Sequence, residues 1–262
     1  MNDYMKNAIA THAWHEFVYS KNNKERREFV GSMVDSFPAK LDGGEHACIY
    51  VDDFMLPEIP LSFKPLDTRV QSIAREYLSF TLVAAIVEQT IRHNELEELN
   101  KRMAKFIKDV NRLYITDEDF YVSDISGLLE ALKISKEFYK KNYVELMNTG
   151  FWNGDFSTIP ISFMEFSMFI AAYKRVVGMN RHFSLILDYQ GSGAVISQKA
   201  VNGLVIRRIA GDAAIKVVCE PGEWKTYHDL NGMFAEEVHD YSSVDLDGSY
   251  KEYIKRLVNK VW

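Results

Sequence analysis

A cluster of basic and amide side chains follows the first apolar segment of the chain, in the stretch SKNNKERR at 20–27. A phosphate-binding loop in such a place reads G-x-x-x-x-G-K-S/T, because its glycines let backbone N–H groups surround phosphate oxygens while the lysine neutralises them and the hydroxyl holds Mg²⁺. Here Ser20 and Glu25 stand at the glycine positions, and Arg26 and Arg27 replace the lysine and the hydroxyl residue. The stretch predicts a damaged phosphate site with the binding residues Lys21, Asn22, Asn23, Lys24, Arg26 and Arg27. The alternative is a charged helix start that faces solvent.

A second candidate residue, Asp188, lies near the end of the apolar run LILDY at 185–189. In nucleotide hydrolases an aspartate at the end of a buried strand holds Mg²⁺. Asp188 is therefore the predicted metal ligand, with ATP or ADP and Mg²⁺ as the cofactors. Tyr189 occupies the next position, where a hydrolase would carry a carboxylate that orients water, so turnover is not expected. An aspartate in this place also caps turns in proteins that bind no ligand.

Five short segments rich in apolar and β-branched residues are predicted strands, at 16–19, 47–51, 183–188, 214–219 and 243–246. Their apolar character along the whole length favours a parallel sheet that helices cover on both faces. Helical spacing predicts helices at 24–41, 162–177, 195–209 and 250–261, and a long helical insert at about 65–178. The sequence thus predicts a single α/β domain over 1–262, whose ligands bind at the carboxyl ends of the strands.

Four stretches together resemble bacterial AAA+ ATPases of the origin-recognition type: LILDY at 185–189, QKAVNGLVIRR at 198–208, IKVVCEP at 215–221 and HDYSSVDLD at 239–247. The resemblance covers the predicted core, about 16–60 and 180–250, and not the helical insert. It implies a five-stranded P-loop NTPase-like sheet in which these stretches are the Walker B strand, the helix after it, the sensor strand and the last core strand. By the same resemblance, Arg207 or Arg208 would serve as an arginine finger toward a neighbouring subunit. A solvated arginine pair at a helix end is the alternative.

The substituted motifs favour a catalytically degenerate ATPase-like protein that acts as a regulatory or assembly module, with weak or no nucleotide binding. Its partners would be further copies of itself or another protein. One alternative is an active ATPase in which Arg26 replaces the usual lysine and Glu220 supplies the missing carboxylate beside Asp188. Another is a DNA-associated factor that contacts phosphates through the basic cluster, although a net charge of −6 gives the chain no overall basic field.

Other patterns are weaker indicators of function. The stretch IYVDDFML at 49–56 matches the YxDD box of reverse transcriptases, but too little chain precedes it for a polymerase, so its aspartates are expected to end a strand. GSG at 191–193 predicts a turn. His12 and His15 could share a helix face, without a matching third ligand nearby. The aromatic and methionine residues of 162–173 are expected to fill the core, and to form a protein-interaction surface if they are exposed.

The composition favours a soluble protein of a reducing compartment. Hydrophobic residues make up 47% of the 262 residues, which is typical of a globular chain. Cys48 and Cys219 lie inside apolar segments and are expected to be buried free thiols. No apolar run reaches the roughly 20 residues of a membrane helix, so a cytoplasmic location without membrane contact is expected.

Overall fold

Helices and strands alternate along the chain in the computed structural model, which describes residues 15–41, 43–59, 67–152, 154–177, 182–207 and 213–246. The strands are β1 (His15–Tyr19), β2 (His46–Val51), β3 (His182–Asp188), β4 (Ala213–Cys219) and β5 (Tyr241–Asp245). The helices are α1 (Asn23–Ser36), α2 (Asp67–Arg92), α3 (Leu96–Tyr114), α4 (Ile125–Thr149), α5 (Phe166–Val177) and α6 (Val195–Ile206), with 3-10 turns at Glu118–Phe120 and Phe156–Thr158.

All five strands pair in parallel, in the order β2-β3-β4-β1-β5. Each predicted strand is confirmed to within two residues at either end. β4 is buried along its whole length, as expected of a strand that is covered on both faces. The parallel five-stranded sheet with flanking helices confirms the predicted α/β class.

The two faces of the sheet carry unequal layers. On one face, Val18, Ile186 and Val218 pack against Phe29 and Met33 of α1. The opposite face carries the larger core, to which α2 to α6 and the segment after β4 all contribute. The connection after β1 therefore leaves on one face and the connection after β4 on the other. Between two such neighbouring strands a crevice opens at their carboxyl ends, which is where α/β sheets usually bind ligands.

Three predicted helices differ from the structure at their ends. α1 ends at Ser36 and not at 41, because the residue before Pro38 is disfavoured in helical conformation. α5 begins at Phe166 and not at 162, and the N–H of Met164, before the helix, donates to the side chain of Glu76 on α2. α6 is helical to Ile206, and the last two residues of the predicted 195–209 helix lie outside the described ranges. The predicted helix at 250–261 lies outside them as well.

The helical region between β2 and β3 contains α2 to α5, of which α2 and α4 lie closest together. Within the described ranges, Thr68–Arg92 alone is long and apolar enough to cross a membrane, contrary to the expectation that no segment would reach that length. Its most apolar window is 67% buried inside the protein. That burial is typical of the core helix of a soluble protein.

Charged and polar side chains also occupy the sheet itself. Glu16 of β1 and Lys216 of β4 face each other in the strand register and form a 2.8 Å ion pair with side chains 1% and 0% exposed. On the edge strand β2, the side chain of Gln89 donates to the carbonyl of Tyr50 at 2.6 Å and accepts from its N–H at 3.0 Å. Cys48 and Cys219 are buried free thiols, as predicted.

Candidate functional site at the carboxyl edge of the sheet

The loop between β1 and α1 spans only residues 20–22, and its backbone is closed by its own side chains. The side chain of Asn22 accepts a hydrogen bond from the N–H of Lys24 at 3.0 Å. The N–H of Asn22 donates to Ser20 Oγ, also at 3.0 Å. Because these N–H groups already have acceptors, the helix N-terminus offers less to a phosphate than a glycine-rich loop does. Residues 23–27 of the basic stretch belong to α1, whose start at Asn23 lies one residue before the predicted helix start.

Arg26 lies in the crevice between β1 and β4, where its side chain is only 5% exposed. Its guanidinium donates to the carbonyl oxygen of Ser20, and its Nη2 donates to Glu220 Oε1 at 2.9 Å. Ser20 directly follows β1 and Glu220 directly follows β4, so the guanidinium joins the ends of two neighbouring strands. A side chain of the protein itself thus fills the crevice in which α/β sheets usually bind ligands.

The remaining predicted phosphate ligands lie at the surface. Lys21, Asn23, Lys24 and Arg27 are all exposed, and Lys24 forms a 3.7 Å ion pair with Glu28 on the next turn of the helix. Arg27 nevertheless stands close enough to Asp188 to lower the pKa of that carboxyl. Of the predicted basic ligands, Arg26 and Arg27 are therefore the two whose charges act on Asp188.

Asp188 ends β3 and is buried, with 9% of its surface exposed. Burial raises the pKa of its carboxyl, while hydrogen bonds from Gln190 and Tyr50 and the charges of Arg26 and Arg27 lower it. The hydroxyl of Tyr50 donates to Oδ2 at 3.4 Å, and Oδ1 has no hydrogen-bond partner within the described part of the chain. Asp188 therefore receives hydrogen bonds and faces two cations, while Asp53 and Glu58 line the cleft beside it.

The charges around Asp188 disfavour the predicted magnesium site. In a nucleotide site magnesium is bound by one or two carboxylates together with waters and phosphate oxygens, so the carboxylate of Asp188 would have to hold it. The described residues contain no group of three or more histidine, cysteine or acidic side chains that could hold a metal by themselves. Two guanidiniums near a single carboxylate would also repel a divalent cation. The positive charge that a metal would bring to Asp188 is supplied here by Arg26 and Arg27.

A second, open cleft of about 450 Å³ lies beside Asp188 at the ends of β2 and β3. One wall is Asp53, which adopts a left-handed φ of 42° after the end of β2. Its carboxylate forms ion pairs with Lys136 at 3.2 Å and Lys140 at 3.1 Å on α4, and its carbonyl accepts from the hydroxyl of Tyr77 at 2.6 Å. The YxDD box therefore ends a strand, as expected, and its second aspartate fastens that strand end to the helical layer.

The other wall of the cleft is the loop after β3, which includes the GSG stretch. Gly191 and Gly193 have φ values of 75° and 131°, which confirms the predicted turn. A Cβ at Gly193 would lie 2.6 Å from the Cβ of Met55, so only glycine allows this approach of the two loops. The N–H of Ala194 donates to the carbonyl of Leu56 at 2.8 Å and fixes the loops to each other. The two loops that form the cleft are thus held against each other.

Several other candidate residues lie away from the crevice or make contacts that do not serve the predicted site. Glu220, the alternative catalytic carboxylate, is bound to Arg26. Tyr189 packs against Trp224 in the larger core.

Arg207 is exposed directly after α6, the helix that starts at the carboxyl edge of the sheet and runs away from it. His15 accepts a hydrogen bond from the N–H of Ile215 within the sheet. Arg208 and His12 lie outside the described ranges.

Comparison of the chain with protein-family models, curated proteins and solved structures finds no match. The functional interpretation therefore rests on the geometry of the crevice and of its neighbouring cleft.

Proposed function

We propose that the protein is a catalytically degenerate P-loop-like module that acts in regulation or assembly and does not turn over nucleotide. The parallel sheet flanked by helices is consistent with a P-loop-like fold. The observation that carries the proposal is the position of Arg26, which fills the crevice between β1 and β4 and is bonded to both strand ends.

Electrostatics in the crevice support the absence of turnover. In nucleotide hydrolases a lysine and a metal ion neutralise the developing charge, and a carboxylate orients the attacking water. Here the arginine that replaces the lysine is held by Glu220, the carboxylate that would have to orient the water. The two groups neutralise each other. A nucleotide could bind only if its phosphates displaced Glu220, so binding is weak or absent.

The active-ATPase alternative requires Glu220 to serve as a base beside Asp188. The ion pair with Arg26 engages that carboxylate and makes this role unfavourable. The DNA-binding alternative has no support beyond the exposed basic residues at the start of α1, which alternate with Glu25 and Glu28. The regulatory or assembly role therefore remains the better proposal.

Thermal melting and phosphate release test the proposal. Ligand that binds the folded state raises the melting temperature, by an amount that grows with ligand concentration over Kd. We expect ATP and ADP with Mg²⁺ to leave the melting temperature of the wild-type chain nearly unchanged at millimolar concentration. We expect phosphate release to equal that of an Asp188→Asn variant. Mg²⁺-dependent hydrolysis by the wild type that Asp188→Asn abolishes would contradict the proposal.

The Glu220→Gln variant sharpens the same experiment. It keeps the size of the side chain but removes the charge that holds Arg26. If Glu220 blocks phosphate, this variant should gain a nucleotide-dependent rise in melting temperature that a further Arg26→Met change removes. A wild type and a variant that respond equally would show that Glu220 has no such blocking role.

A further inference from the structure

A groove of about 490 Å³ runs along the surface between α3 and α5, in the helical layer. Its floor is apolar, formed among others by Phe106, Val110 and Phe169. Leu113 and Met168 line it with 61% and 56% of their surface exposed. Large exposed apolar side chains grouped in one concave surface are typical of sites where another molecule binds.

Only some of the aromatic and methionine residues at 162–173 are thus buried in the core. Phe166, Phe169 and Tyr173 of this stretch are buried, as expected. Met168 instead faces the groove, and an unbranched methionine adapts its shape to different binding partners.

The two helices run antiparallel along the groove. Phe106 of α3 packs against Phe169 and Tyr173 of α5, with ring centroids 5.3 and 5.7 Å apart. Tyr114, two turns farther along α3, lies near Glu165 at the start of α5, and that carboxylate contributes to raising the pKa of Tyr114 after burial. A groove between antiparallel helices is elongated and suits a third helix laid into it.

The charges are distributed unequally along this groove. Lys105 and Arg175 line it toward the same end, and neither forms an ion pair with any residue in the described ranges. Asp109, which also lines the groove, is already paired with Arg112 at 3.1 Å. The opposite end carries Glu165. One end of the groove therefore presents unbalanced positive charge beside an apolar floor.

We propose that this groove binds an amphipathic helix of a partner protein, with acidic residues at the end that lies over Lys105 and Arg175. The apolar face of that helix covers Leu113 and Met168, and its acidic end supplies the carboxylates that the two cations lack. The inference does not depend on the nucleotide crevice, which is built from other elements.

Two synthetic peptides of about 18 residues, long enough for several helical turns, test the proposal. Both carry leucine at helical spacing on one face; one has glutamates at one end, and the other has lysines there. Fluorescence anisotropy should show that the full chain binds the acidic peptide about tenfold more tightly than the basic one. The difference should shrink at high salt, because salt screens exposed charges.

Four variants locate the site. Leu113→Asp or Met168→Asp should weaken binding of the acidic peptide by about tenfold or more, whereas Leu96→Asp is the matched control, since Leu96 is exposed on the same helix outside the groove. Lys105→Glu with Arg175→Glu should reverse the preference between the peptides. Circular dichroism checks that each variant is folded.

Three results would overturn the proposal. The first is equal binding of the two peptides, or no binding of either. The second is the same loss of binding in Leu96→Asp as in Leu113→Asp. The third is self-association in sedimentation that Leu113→Asp abolishes, which would make a second copy the occupant of the groove.

Discussion

Two ion pairs join β4 to its surroundings, one inside the sheet and one at its carboxyl edge. Glu16–Lys216 is sealed, with both side chains at most 1% exposed. Arg26–Glu220 is half open, because Arg26 is 5% exposed while Glu220 is 43% exposed. A sealed pair is closed to solvent and to ligands, so its charges stabilise the fold. In the half-open pair, the side chain of Glu220 can turn to solvent, and another anion can then bind Arg26. The half-open pair is therefore where binding of a phosphate or another anion would be controlled.

Breaking the sealed pair should have the largest effect. Lys216→Met leaves the carboxylate of Glu16 buried beside an apolar side chain, which should lower the free energy of unfolding by about 3–5 kcal/mol. Replacing both residues by methionine should restore most of this loss, since no uncompensated charge remains. Urea denaturation measures both values. A double variant as unstable as the single one would show that the pair contributes more than charge compensation.

Glu76 sharpens the comparison, because it is a buried carboxylate that forms no ion pair with any described residue. Burial raises its pKa from 4.5 to about 7, against the opposing effects of the Met164 N–H and of Arg75. The pKa of Glu76 is higher in the folded state than in the unfolded state, so the protonated carboxyl stabilises the fold. This stabilisation is lost as the pH rises from the pKa of the unfolded state through the pKa of the folded state.

Glu76→Gln should therefore exceed the wild type in free energy of unfolding by about 3 kcal/mol at pH 8 and match it near pH 4. Denaturation at the two pH values measures the difference. A constant offset at both pH values would show that Glu76 does not titrate with the raised pKa.

Removing the inner partner of the half-open pair should have a moderate effect. Arg26→Met takes a charged donor from the carbonyl of Ser20 but leaves Glu220 free to turn to solvent, so we expect a loss of about 2 kcal/mol. Urea denaturation checks the value. A loss as large as that of Lys216→Met would mean that Glu220 cannot leave the crevice.

Removing the outer partner should have the smallest effect. Glu220 is partly exposed, glutamine keeps an acceptor for Arg26, and Asp188 still places a negative charge near the guanidinium, so Glu220→Gln should cost about 1 kcal/mol in free energy of unfolding. The small cost should itself fall in high salt. If the measured loss is several times larger and unaffected by salt, the pair is effectively buried and the distinction between the two pairs fails.

The fold could be predicted where local pattern determines it. The strands were predictable since buried parallel strands are apolar throughout, and the loop at 191–193 since its glycines mark a turn. The end of α1 was placed too late, although Pro38 gave a usable signal.

The site could be predicted only in part, because its partners are far apart in the sequence. Asp188 and Arg26 were identified from motif positions, but Glu220, which binds Arg26, lies 194 positions away. Lys140 reaches Asp53 over 87 positions, and no spacing rule links a strand end to a helix so far along the chain. Motif positions identify the type of each charged group, and tertiary packing determines which of these charges compensate each other.

The clamp of Gln89 on Tyr50 has a consequence for how the protein behaves when crowded or newly synthesised. An edge strand with unpaired backbone groups is a template on which another chain can add a strand and start a fibril. At β2, the amide side chain of Gln89 occupies both the N–H and the carbonyl of Tyr50, so another chain cannot pair with the strand at this residue. Of the two edges of the described sheet, β5 is therefore the one where a further strand is expected to add.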